Sequence, residues 1–446
     1  MTRAPRGLRL NDAMNALEQR VTDAIAESRD EIVELASALI RFDTTARDPG
    51  DEPREEAALQ GLLAQRLSAA GATVEVWEPE PEDVRGPQVP FQLDFAGRPQ
   101  LLARFAGAGG GRSLLLNGHI DVVSGEPKTR WTDDPNSPVV RDGMLYGRGA
   151  CDMKGGVAAM VMAAELLARA GVRLSGDLLV NTITDEESSG AGGIASVARG
   201  VRADGGIVPE PTDFEVWVAC RGSVYPTITV EGRPGHAELR QPHWRDGGAV
   251  NAIEKAQVVL DAVRRLREEW LTRADLQHPY LSPPDIVPTV MAAGEWAVTY
   301  PASCAITCAV LFPPALADDA GYGSRVRRDV EAWIRRACDS DPWLAAHPPS
   351  FSWAADIPPM EIPPDAAIVQ TVLAASADVG EPSRLGGLDS WYDGATYTMS
   401  ADTPSVGFGP RSIHTAHTID EHVAVDDLVR CAQAIALAAM RFCDTA

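Results

Sequence analysis

His119 and Asp121 stand two residues apart in "SLLLNGHIDVVSGEP", residues 113–127. On an extended backbone residues i and i+2 share a face, so an imidazole and a carboxylate point the same way at the end of an apolar run. Groups of the same chemistry recur where other apolar runs give out: Asp152 between "GRGAC" and a helical stretch starting near Gly155, Asp185, Glu186 and Glu187 after "LLVNTIT", Glu210 after "GGIVP", and His417 in "IHTAHTIDE". Taken singly, each is the ordinary content of a solvated turn. Together they supply two imidazoles and several carboxylates, a mixture that suits zinc or a similar borderline divalent ion, whereas an all-oxygen cage would suit magnesium or calcium. The donor count suits two ions, which at a spacing of about 3.5–4 Å share a carboxylate and activate one water between them.

The elements that must carry these groups are legible as periodicity. Residues 12–45 and 55–71 read as helices, and "TVEVWEP", "LLARFAG", "SLLLNGHID", a helix over 155–170, "GDLLVNTITDEE", a helix near 191–199 and "GGIVPEP" alternate strand with helix. This predicts an α/β fold with a mostly parallel sheet flanked by helices, in which the carboxyl ends of the strands open onto the ligand crevice. The middle of the chain reads strand, helix, strand, strand, helix, strand, the pattern of a small α+β domain. The expected organisation is a first part of one domain over 1–221, an inserted domain over 222–359, and the remainder of the first over 360–446. Pro- and Gly-rich patches at 79–99, 282–288 and 342–364 are expected to be surface connections.

Composition removes several classes of function. A chain of 446 residues with a formal net charge of -23 lacks the clustered cations that phosphate backbones need, so no nucleic-acid partner is expected. The most apolar helical stretch, 155–171, is too short to cross a bilayer, and the N-terminal residues show no signal-peptide core, so no membrane partner is expected. Seven scattered cysteines without a C-x-x-C pair suggest neither disulfides nor a zinc knuckle and point to a cytoplasmic location.

"NGHIDVV", "LYGRGACDMKGGVAAM", "TDEE", "PEPT" and "HTIDE" resemble, in order, the motifs of the zinc-dependent amidohydrolase and peptidase family that contains acetylornithine deacetylase, succinyl-diaminopimelate desuccinylase, aminoacylases and glutamate-releasing carboxypeptidases. The resemblance covers most of the chain. It implies a zinc exopeptidase-like catalytic domain with an inserted ferredoxin-like lid and dimerisation domain. It also implies two zinc ions, with cobalt or manganese as substitutes: His119 and Glu210 on one, Glu187 and His417 on the other, Asp152 bridging, and a cis peptide after Asp152. Asp121 would orient His119. Glu186 would take a proton from the attacking water and deliver it to the departing amine. His236, in "GRPGHAELRQPHW", would stabilise the oxyanion from the partner subunit of a homodimer formed through the inserted domain, with His243 as the alternative; His414 competes with His417 for the last ligand position.

Amino-acid deacylases of this family carry an arginine on a lid strand that clamps the substrate carboxylate, yet "WAVTYPASCAITCAVLFPP" (296–314) contains no arginine. Substrate contacts are therefore expected in "RLGGLDSWYDGATYT", where Gly386 and Gly387 allow close approach, Trp391 and Tyr392 either pack against a flat substrate or fill the core, and Arg384 meets an anion. "GEW", "YPA" and "DSWYDGAT" resemble the deacylase branch that includes formylaminopyrimidine deformylases. The expected function is a dizinc deacylase of a small N-acyl compound. A dipeptidase or carboxypeptidase is the alternative enzyme, and a metal- or ligand-binding regulator the non-enzymatic one, although a pure binder has no use for Glu186.

Overall fold

The computed structural model describes residues 14–46, 51–411 and 413–446, so the N-terminal residues and the first two positions of the helical stretch expected over 12–45 lie outside the described residues. That stretch is two helices, Ala16–Glu27 and Arg29–Arg41, separated at Ser28. Two compact units are formed.

The first unit comprises residues up to 218, 361–387 and 392–446. In its sheet, strands Thr73–Trp77, Gln100–Phe105, Leu178–Ile183, Leu114–His119, Gly205–Val208 and Ser405–Gly407 lie side by side in that order. The last four are mutually parallel, and the first two add antiparallel at one edge. Leu114–His119 and Leu178–Ile183 are buried throughout, which is why both read as near-continuous apolar runs rather than alternating ones. The helix Lys154–Arg169 is buried over nearly its whole length. A Cβ on its Gly155 would lie 2.2 Å from the Ala150 carbonyl oxygen and one on Gly156 2.0 Å from that of Pro209, so only glycine lets the helix start this close to the strand ends. Strands Val139–Arg141, Met144–Tyr146 and His422–Ala424 form a separate small sheet.

The 79–99 stretch is not the surface connection expected of it. Val84, Val89, Leu93 and Phe95 pack with Ala191 and Ala195 in a core of their own.

The second unit comprises residues 219–360 and 388–391. Strands Gly222–Glu231, Asp285–Ala293, Ser303–Phe312 and Ser350–Ile357 form an antiparallel sheet in which Ser303–Phe312 and Gly222–Glu231 are central. With helices Ala252–Thr272 and Ser324–Cys338 they give the order βαββαβ. Alternation along Ser303–Phe312 sends Cys304, Ile306, Cys308, Val310 and Phe312 into the core. Stretches 282–288 and 342–364 contribute to these strands rather than only connecting them. The short 388–391 segment joins this unit because Arg221 holds it: its amide donates to the Leu388 and Ser390 carbonyls, and its Nε to the Asp389 carbonyl at 2.8 Å.

Candidate active site

His119 is the last residue of its strand, pairing with Ile183 of the parallel neighbour, so whatever follows Ile183 emerges at the same sheet edge. Glu186 and Glu187 follow it by a turn in which Asp185 takes a positive φ of 69°. That turn is anchored from several sides. Arg98 donates to Asp185 Oδ1 at 2.6 Å and Ser189 to its Oδ2 at 2.5 Å, while Gln88 donates to the Ser189 carbonyl at 3.0 Å. The Asp121 carboxylate accepts the amides of Glu186 at 3.2 Å and Glu187 at 3.0 Å.

Asp121 meets His119 through its main chain. His119 Nδ1 lies 2.8 Å from the Asp121 carbonyl oxygen and 3.7 Å from its carboxylate, because the carboxylate is engaged by the two amides. With Nδ1 donating to that carbonyl, His119 presents Nε2 to the cleft as its lone-pair nitrogen.

Asp152 receives both imidazoles. His119 Nε2 is 3.2 Å from its Oδ1, and His417 Nε2 is 3.3 Å from its Oδ2. His417, at a positive φ of 60°, also stands 3.2 Å from the Glu187 carboxylate. Glu210 Oε1 is 3.8 Å from His119 Nε2. One donor atom each from His119, Asp152 and Glu187 fall within 4.8 Å of one another. The structure therefore brings His119, Asp152, Glu187, Glu210 and His417 together, and the contacts of the last position go to His417, not His414. The Asp152–Met153 peptide is cis.

The charges in this cluster are poorly matched by protein alone. Glu210 Oε1 is buried without a hydrogen-bond partner among the described residues. Burial, and then the neighbouring carboxylates, push Glu186 and Glu210 well above the usual carboxylate range, against the opposing pull of His119. Hydrogen bonds to Asp152 and Glu187 push His417 up to about 10. An excess of buried carboxylates gathered around two imidazoles is a donor set that divalent cations satisfy.

Several contributors carry no signal in sequence. Asp393 is buried, accepts from Asn117 Nδ2 at 3.3 Å, has Oδ1 unpartnered among the described residues, and is pushed up to about 7 by burial; its charge bears on Glu186 and Glu210. A Cβ on Gly193 would sit 2.5 Å from that Oδ1, a closeness no sequence pattern announces. Lys154 is fully buried and donates to the Phe42 carbonyl at 2.9 Å.

The expected substrate residues divide. Arg384, 83% exposed, is paired within the chain: its Nε donates to Glu215 Oε1 at 2.7 Å. The tight approach at Gly386 is likewise to Glu215, whose Oε2 would be 2.1 Å from an added Cβ. Gly387 lies in the same strand, Leu385–Leu388. Tyr392 is core, edge-on to Trp217. Trp391, in the second unit, is half-buried with Nε1 unpartnered among the described residues. His236, also in the second unit, is exposed, and its Nδ1 accepts the Glu238 amide at 3.3 Å. His243 accepts the Arg245 amide at 3.3 Å and packs against Trp244.

Fold and donor set together are those of a metal-dependent amidohydrolase. The model of peptidase family M20/M25/M40 matches residues 115–441, and the chain belongs to that family. It is 26% identical over 430 residues to the N-formyl-4-amino-5-aminomethyl-2-methylpyrimidine deformylase of Bacillus subtilis (strain 168), covering 91% of this chain and 93% of that protein. The protein of the same description from Halalkalibacterium halodurans is 26% identical over 423 residues, covering 91% and 93%. Among solved structures, the aminopeptidase PepT of Bacillus cereus superimposes with a TM-score of 0.69 at 16% identity, covering 93% of this chain and 98% of that one. Among the described residues no helix is long and apolar enough to cross a membrane.

Proposed function

We propose that this chain hydrolyses the amide of a small N-acyl amine, with N-formyl compounds of aromatic or neutral body as its preferred class. The observation that carries the reading is the meeting of His119, Glu187, Glu210 and His417 around Asp152, with the charge of Glu186 near enough to bear on His119 and Glu210. The description shared by the two deformylases supports the N-formyl preference.

Two zinc ions would be held by His119 with Glu210 and by His417 with Glu187, and Asp152 would be shared between them. When bound, such ions polarise an amide carbonyl and make a water acidic enough to attack it at neutral pH. Glu186 accepts the proton released from that water and returns it to the amine nitrogen as the C–N bond breaks, leaving a carboxylate and a free amine. Its buried, carboxylate-rich surroundings favour a group that can hold a proton between those two steps. His236 donates to the developing oxyanion. Because its Nδ1 accepts an amide hydrogen, a neutral ring carries its proton on Nε2. His243 is bound to a capping role and to Trp244.

The homodimer would form through the second unit. Its edge strand Asp285–Ala293 exposes Val290 (58%) and Met291 (47%), with Trp296 (71%) in the following turn, and such an edge invites pairing with a second copy. A reducing compartment, the cytoplasm, suits its seven buried cysteines.

The test is turnover on matched N-formyl, N-acetyl and dipeptide amides with added zinc or cobalt, and again after chelation. Metal-dependent release of the amine, fastest from the N-formyl member, is expected. Preference for dipeptides would assign the chain to the peptidase alternative, and binding without turnover to a regulator.

A further inference from the structure

The antiparallel pairing of Met144–Tyr146 with His422–Ala424 puts His422 opposite Tyr146, and one step further the Gly147 amide donates to the Glu421 carbonyl at 3.0 Å. The loop that carries His417 is thereby brought against the "GRGACD" segment. At that junction Glu421 is fully buried. Its Oε1 accepts two backbone amides, that of Cys151 at 2.8 Å and that of Asp152 at 3.0 Å. Its Oε2 accepts Arg148 Nη1 at 2.5 Å, and Arg148 Nη2 donates onward to the Ser124 carbonyl at 3.1 Å. Arg148 is itself buried, with its guanidinium over the Trp131 ring.

Asp152 is therefore gripped twice by one stretch of chain: its side chain by His417, its amide by Glu421 four residues later. We infer that Arg148 and Glu421 are a positioning pair that sets where the Asp152 carboxylate stands, and so tunes the affinity of both metal positions without contacting either. The inference rests on the proposed role of Asp152 as the shared ligand. A buried ion pair is a poor device for stability as such, because desolvation opposes its attraction. Here the fork of Arg148 leaves Glu421 with one oxygen reserved for the two amides, and a lysine cannot reproduce that fork.

The experiment measures zinc affinity of metal-free full-length protein by competition with a chromophoric chelator, together with the visible spectrum of the cobalt-loaded form. The proteins compared are the unaltered chain, Glu421→Gln, Arg148→Lys and Asp152→Asn, each checked for folding by circular dichroism. Glu421→Gln and Arg148→Lys are expected to bind zinc about 10–100-fold more weakly and to shift the cobalt bands. Unchanged affinity and spectrum in folded Glu421→Gln would overturn the inference. Should that variant not fold, Arg148→Lys decides by the same criterion. Unchanged zinc affinity in Asp152→Asn would instead sink the shared-ligand reading itself, whereas loss there with an unaltered Glu421→Gln sinks only the positioning role.

Discussion

Glu186 and Glu187 are sequence neighbours whose amides are held by one carboxylate, that of Asp121, yet only Glu187 reaches His417. Divergence of adjacent side chains from a fixed backbone would let one bind and the other move protons, as proposed. Glu186→Gln is accordingly expected to lower kcat by about 10²–10⁴-fold while zinc content, measured by atomic absorption, stays at the unaltered level. Parallel loss of metal and activity would place Glu186 among the ligands instead. The groups that meet around Asp152 are legible in the sequence because they are imidazoles and carboxylates standing at the ends of strong apolar runs. Asp121 was readable as a participant but not in its contact, since a carbonyl and a carboxylate of one residue are indistinguishable in a motif. Arg148 and Glu421 were not readable, because their partners are backbone amides and each other. The pairing of Arg384 with Glu215 is not legible either, because the two are remote in sequence.

At the scale of elements, the cluster depends on how near the Lys154–Arg169 helix comes to the strand ends. Gly156 faces the Pro209 carbonyl, next to Glu210, at a distance no Cβ fits. Gly156→Ala is expected to destabilise the fold by about 1–3 kcal/mol, seen as a lower urea midpoint, and to weaken zinc binding because Pro209 must move and Glu210 with it. An unchanged midpoint would show that the helix start yields freely. Long elements such as this helix were legible from periodicity, and so was the βαββαβ order of residues 222–357. The three-residue strands Val139–Arg141, Met144–Tyr146 and His422–Ala424 were not, being too short to show alternation. The 79–99 segment, rich in proline, concealed a small core and the Arg98 that braces Asp185.

For the whole molecule, metal and fold are linked. Ligands that bind only the native state stabilise it by mass action, about 2.7 kcal/mol at a hundredfold excess over Kd. Chelation is therefore expected to lower Tm in the unaltered chain and much less in Asp152→Asn; equal shifts would mean that the metal sits elsewhere.

The proposed dimer yields the sharper prediction, because His236 and Glu186 belong to different compact units, and in the proposed arrangement each site takes them from different subunits. His236→Ala and Glu186→Gln homodimers would each be inactive or nearly so. Mixed after partial unfolding and refolding, half of the dimers are heterodimers, and in each of these one site combines an intact Glu186 with an intact His236 from the other chain. Activity should thus return to about a quarter of the unaltered enzyme. If His236 acted within its own chain, no site in the mixture would be whole and nothing would be recovered. Adding Met291→Asp to both chains, which puts a charge on the exposed Asp285–Ala293 edge, should abolish the recovery and shift the light-scattering mass to that of a monomer. Recovery that survives in Met291→Asp chains that are still dimeric would remove the second unit's edge from the active assembly.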